Sequence, residues 1–108
     1  MGILKKLQAC TGFNWDKHNI QKNWENHKVS PVESEQVFFN QPLFATEDSK
    51  YSQKEERFYV LGRTDKDRRL FVAFTIRKRQ IRIISSRDMN KKEREVYEKC
   101  KKEKNPKI

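Results

Sequence analysis

Apolar residues along this chain fall in short runs, and the period of each run predicts an element. After the Thr11-Gly12 break, Phe13 to Trp15 is a short aromatic stretch, either a brief strand or an anchor on a core. Asp16 offers its carboxylate to the free N–H groups of a following turn, so a helix is expected from Lys17 to about His27. Ile20, Trp24 and His27 form a narrow inward stripe on it, with Lys17, Gln21, Lys22 and Glu25 facing water. Ser30, Pro31 and Glu33 supply a second helix start: an N-cap, a proline at the first helical position and a capping-box glutamate. That helix is expected from Pro31 to about Phe39, with Val32, Gln36 and Phe39 on one face, Val37 and Phe38 widening it, and Pro42 preventing continuation.

The second half alternates differently. Leu43 to Thr46 is a candidate short strand, and Glu47 to Glu55, polar apart from Tyr51, reads as an exposed loop. Arg57 to Leu61, Leu70 to Ile76 and Ile81 to Ile84 are rich in β-branched and aromatic residues at strand length. The links Thr64 to Arg68 and Arg77 to Gln80 are of hairpin length, so the three strands form an antiparallel meander. The middle one is apolar on both faces and is therefore central, with helices covering at least one side. From Asn90 onward the chain is highly charged, yet Glu93, Val96, Tyr97 and Cys100 recur at helical spacing. The expected fold is α+β: helices packed on a twisted antiparallel meander, closed by a C-terminal amphipathic helix that frays into a basic tail before Pro106.

Composition narrows the partners. At 108 residues, with 34% apolar against 37% charged, there is room for one domain with a small core. Lys+Arg 25 against Asp+Glu 15 leaves +10, which favours a polyanion: nucleic acid first, an anionic membrane second, an acidic protein third. No run approaches the roughly 20 apolar residues of a membrane span. Met1 to Leu7 is too short and too interrupted for a signal sequence, and Lys6 stands where a myristoylation signal needs Ser or Thr. A cytoplasmic protein without a membrane role is expected. Cys10 and Cys100 lie near opposite ends with no CxxC and no histidines at metal spacing, so free thiols are expected, with no metal site and no cofactor.

Seven pieces of the chain, in order, carry a family resemblance: Phe13-x-Trp15-Asp16; Asn23-x-x-Asn26-His27-x-Val29-Ser30; Glu33 through Val37-Phe38; Glu55-Glu56-Arg57; Leu61-Gly62-Arg63-Thr64; Arg82-Ile83-Ile84-Ser85-Ser86-Arg87; and Lys92-Glu93-Arg94-x-x-Tyr97-Glu98. This pattern resembles the BrnT toxins of bacterial type II toxin–antitoxin systems, with the segment Arg82 to Arg87 the heaviest part. The resemblance implies a RelE/ParE-like architecture and an endoribonuclease that cleaves RNA and inhibits translation, with or without the ribosome. It also implies a BrnA-type antitoxin, with operator DNA engaged only through the antitoxin complex. Residues 13–100 would be the domain, residues 1–12 a leader outside the resemblance and residues 101–108 the basic tail. Lys28 departs from the pattern, because family members usually carry glycine there. The other class open to the sequence is a basic RNA- or DNA-binding module without catalysis, or a toxin fold with a dead site, acting in a repressor complex.

Metal-independent RNA cleavage needs a base near the ribose 2′-OH, an acid for the leaving 5′-oxygen and cations around the phosphorane. Arginine suits the last role, because its planar fork meets two phosphate oxygens and stays charged. Arg63, Arg82 and Arg87 are the catalytic candidates, expected to converge on one end or face of the sheet, although Arg82 could instead face solvent or pair with Glu55 or Glu56. Glu93 is either a base or the group that holds Arg87 in place. His27 is a candidate for proton transfer, because histidine as a residue type suits that role near neutrality, against a packed or capping role at a helix end. Tyr97 is either a proton donor or base-stacking ring, or a core residue. Arg77, Lys78 and Arg79 at a hairpin tip, with Lys91 and Lys92, are expected to bind and steer RNA.

Overall fold

The computed structural model of the protein describes residues 2–48 and 55–102. In chain order the elements are α1 (Ile3–Gln8), β1 (Gly12–Asn14), α2 (Lys17–His27), α3 (Pro31–Gln36) running into a 3₁₀ turn (Val37–Phe39), β2 (Phe44–Glu47), β3 (Phe58–Arg63), β4 (Arg69–Arg77), β5 (Gln80–Asp88) and α4 (Lys91–Lys102). The sheet order is β1-β5-β4-β3-β2, which puts the doubly apolar β4 at the centre. The β3 to β5 run is the expected antiparallel meander and β2 joins it antiparallel to β3, but β1 adds a parallel edge to β5, with Phe13 opposite Ile81. The sheet is therefore mixed, because the chain between β1 and β5 returns on the same side; a strand of three residues carries too little pattern to announce its partner. Residues 49–54, with Tyr51, and 103–108, with Pro106, lie outside the described part.

Local chemistry accounts for the helix starts. Asp16 accepts from the His18 backbone N–H at 2.7 Å, and Ser30 and Glu33 close a full capping box with Pro31 behind them. The inward faces differ from those expected. In α2, Asn23 rather than Trp24 is buried, because its side-chain oxygen accepts from the Ser86 backbone N–H on β5 at 3.2 Å; Trp24 is 51% exposed beneath the Lys28 ammonium. In α3, the tightening into the 3₁₀ turn points Val37 and Phe38 at the core and leaves Val32 and Phe39 outside. Lys28 ends α2 in the left-handed region (φ 54°, ψ 41°), the backbone shape for which glycine is preferred.

Strand alternation sorts the core onto two faces. Leu70, Val72, Phe74, Ile81 and Ile83 point to the side covered by α1, α2 and α3, where Val29, Val37, Phe38, Ile3 and Leu7 meet them. Leu61 and Phe71 point to the other side, where Tyr97 of α4 and Met89 close a smaller cluster. Gly62 sits where the 3₁₀ turn crosses β3: a Cβ there would lie 3.0 Å from that of Val37. β5 also extends past Ile84 through Ser85, Ser86 and Arg87, with one irregularity opposite Ala73 and Phe74. These polar residues stay in the strand because they have partners; Ser86 is fully buried and its hydroxyl pairs with that of Ser34 at 2.7 Å. Among the described residues no helix is long and apolar enough to cross a membrane.

Candidate nucleic-acid interface

Among the described residues α4 is the only helix on the second face of the sheet, and it packs against β3. Registers across β2 to β5 arrange the side chains of that face in rows: Phe44, Leu61, Phe71 and Arg87, then Thr46, Tyr59, Ala73 and Ser85, with Thr75, Arg82 and Asn14 in a further row. The first row lies beside α4, and the others extend from it. The small residues Ala73 and Thr75 are buried below their taller neighbours, so the face is floored rather than hollow.

Arg87 and Glu93 define its corner. Asn90 and Glu93 cap α4 reciprocally, each side chain accepting the other's backbone N–H (2.8 and 2.9 Å), which fixes the Glu93 carboxylate at the first turn. That carboxylate accepts from Arg87 Nη1 and Nη2 at 2.8 and 2.9 Å, and the guanidinium lies 4.1 Å above the Phe71 ring centroid. Arg87 Nη1 also donates to the Asp88 carbonyl at 3.1 Å. Among the described residues this leaves Nε–H and one Nη2–H without an acceptor, and those two hydrogens form the side-on fork of the guanidinium. Tyr59 stacks on the same Phe71 ring at 5.0 Å. Burial, reinforced by the charges of Asp48 and Glu93, raises the pKa of its phenol, so it keeps its proton at neutrality. Burial works against ionisation of Glu93, but Arg87 and the Asn90 N–H outweigh it and hold the carboxyl below its ordinary pKa.

The three arginines share one face of the sheet, as strand alternation places them, but they do not meet at one point. Arg82 shares the face with Arg87 but stands roughly 15 Å further along β5, paired with Asp16 at 3.4 Å rather than with Glu55 or Glu56. Arg63 ends β3 two strands away from Arg87, its Nε donating to the Gln41 carbonyl at 2.8 Å. Tyr97 is fully buried and donates its hydroxyl to the Pro42 carbonyl; burial pushes its pKa up to about 12 against the pull of Arg63 and Arg69, which suits packing rather than proton transfer. His27 lies at the end of α2, near Asp88, on the helix-covered side of the sheet. Arg77 is bound to Glu55 beside the β4–β5 turn, whose two residues Lys78 and Arg79 are exposed and left-handed (φ 50° and 63°). Lys91 and Lys92 lie on the exposed first turn of α4. Tyr59 and Phe71 were not expected at the site; their alternation toward one face was visible in the strands, but nothing in the sequence says which face stays uncovered. Among the described residues no group of three or more His, Cys, Asp or Glu side chains is arranged to hold a metal ion.

Residues 15–93 match the profile of the ribonuclease toxin BrnT of type II toxin–antitoxin systems. The chain belongs to this family. It is a ribonuclease toxin by membership, and the matched span runs from Trp15 to Glu93, enclosing the corner just described. The fold agrees with the 1.1 Å crystal structure of the Brucella abortus ribonuclease toxin BrnT: TM-score 0.56 at 18% identity, covering 75% of this chain and 99% of that one. No curated protein matches the chain in sequence. Helix α1 lies outside the matched span, yet Ile3, Leu7 and Cys10 pack on the same core as the rest.

Proposed function

We propose that the protein cleaves RNA endonucleolytically without a metal ion, on the sheet face beside α4, and thereby inhibits translation in the cytoplasm until a BrnA-type antitoxin neutralises it. One observation carries the reading: Arg87 is fixed over Phe71 by Glu93 with its side-on fork still open, at the spacing of two phosphate oxygens. A base stacks near Tyr59 and Phe71, and the adjoining phosphate reaches the fork. The ribose 2′-oxygen attacks phosphorus, its proton passing to water; the P–O5′ bond breaks and a 2′,3′-cyclic phosphate forms. Arg87 stabilises the phosphorane charge, and the Tyr59 hydroxyl protonates the leaving 5′-oxygen. Glu93, kept ionised well below neutrality, is a positioning residue for Arg87 rather than the base. Arg82 and the Arg77-Lys78-Arg79 tip guide the flanking strand.

The test is a translating extract supplied with the purified chain, with new RNA 5′ ends mapped, beside purified RNA in EDTA. New ends with the parent, and at least a hundredfold fewer with a folded Arg87→Ala variant, support the reading. Intact RNA that is nonetheless bound would assign the face to binding alone. Cleavage that stops in EDTA would overturn metal independence.

A further inference from the structure

A groove of about 720 Å³ runs along the outer side of α4, away from the sheet face. Lys92, Val96 and Lys99 follow one another at helical spacing along it, with Lys102 at one end and Arg69 of β4 on its wall. Among the described residues its lining holds six cations and two carboxylates, and one of those carboxylates, Glu98, is already bound by Arg69. Val96 is the one large apolar residue of α4 left exposed, at 39%, and with the methylene stems of the surrounding lysines and arginines it makes an apolar floor inside a basic rim.

We propose that this groove seats an acidic amphipathic helix of a partner protein. Charge complementarity selects an acidic occupant, and a basic rim that runs the length of α4 with Val96 on its floor suits a helix that sets an apolar residue against that valine. RNA fits it less well: among the described residues no aromatic ring lines the groove, whereas the sheet face carries the Tyr59–Phe71 stack that an unpaired base would use. The inference deepens the toxin reading, on which the identity of the partner as antitoxin rests. It places the foothold on the back of the helix whose first turn holds Arg87. The surface charges act mainly on the association rate and the buried apolar stripe on the dissociation rate.

The experiment uses the full chain and a fluorescent helical peptide of glutamate and leucine with leucines at i, i+3, i+4 and i+7, against a scrambled peptide of equal composition. Binding is followed by anisotropy and mapped by amide chemical shifts. Preferential binding of the amphipathic peptide, shifts centred on Val96 and Lys99, and roughly tenfold weaker binding by Val96→Gln/Lys99→Glu with unchanged circular dichroism are expected. Equal binding of the scrambled peptide, or no loss in the variant, would overturn the proposal. So would a short single-stranded RNA that shifts the same α4 amides and displaces the peptide. Cleavage by the parent chain is read separately, so loss of the nuclease reading and loss of the docking site are distinguishable.

Discussion

Arg68 is the residue whose removal should cost this fold most for its exposure. All of its donor nitrogens are engaged: Nε and Nη2 grip Asp88 at 2.8 and 3.1 Å, Nη1 reaches Glu33 at 3.1 Å and the Lys28 carbonyl at 2.8 Å, and Nη2 reaches the His27 carbonyl at 3.0 Å. One side chain from the β3–β4 link thus fastens the end of α2, the start of α3 and the end of β5. An exposed ion pair is worth about 0.2–1 kcal/mol and a hydrogen bond to a charged group up to about 3. The Arg68 side chain is 27% exposed and that of Asp88 62%, so the lower figures apply to each contact, and Arg68→Ala should cost about 2–3 kcal/mol in sum. Lysine cannot hold two carboxylates and two carbonyls at once, so Arg68→Lys should recover less than half. The loss is also pH-dependent. Arg68 holds the Asp88 carboxyl below its ordinary range; for Glu33 burial opposes ionisation, but the Ser30 N–H and Arg68 overcome it. Both folded pKa values are depressed, so this stability is present above the unfolded carboxylate pKa and is lost as pH falls through the folded one. Urea unfolding followed by tryptophan fluorescence should show the gap between parent and Arg68→Ala widest near pH ~7 and narrowing below about pH 4. A gap under about 0.5 kcal/mol at neutrality, or one that does not change with pH, would refute the reasoning.

Three further outcomes follow from particular contacts. Lys78→Asn/Arg79→Gly gives the left-handed turn its preferred residues and should raise stability by about 1–2 kcal/mol in thermal unfolding, while weakening RNA binding if the tip guides the strand. Gly62→Ala presses a methyl group against the Val37 Cβ and carbonyl and should cost about 1–3 kcal/mol in urea unfolding, and Val37→Ala, which keeps both of those atoms, should not rescue it in a double-mutant cycle. Tyr59→Phe keeps the ring stack and removes the hydroxyl; cleavage should fall at least tenfold with RNA affinity unchanged, and equal loss of both would make Tyr59 a binding residue only.

What could be read in advance was local. The capping box at Ser30, the N-cap at Asp16 and the apolar runs of β3 and β4 act over a few residues, so the sequence displays them whole. The packing faces of α2 and α3 could not be read so, because Asn23 is drawn inward by a backbone N–H on β5, 63 residues away in the chain. Family resemblance pointed to Arg87 and Glu93, and their pairing was one of the two roles open to Glu93; the separation of Arg63, Arg82 and Arg87 depends on strand register, which periodicity leaves undetermined. Arg68 looked like one more charge in a hairpin link. Its partners come from three other elements and appear only once the chain has folded.

The pairing of β1 with β5 has a consequence for how the protein is made. Among the described residues Gly12 to Asn14 find their only strand neighbours at Gln80 to Arg82, so during synthesis the first strand must wait while most of the chain is translated. Arg87 and Glu93 arrive later still. A nascent or prematurely terminated chain therefore carries neither the β1–β5 pairing nor the arginine corner, and a ribonuclease toxin built in this order lacks its candidate site until its synthesis is nearly finished.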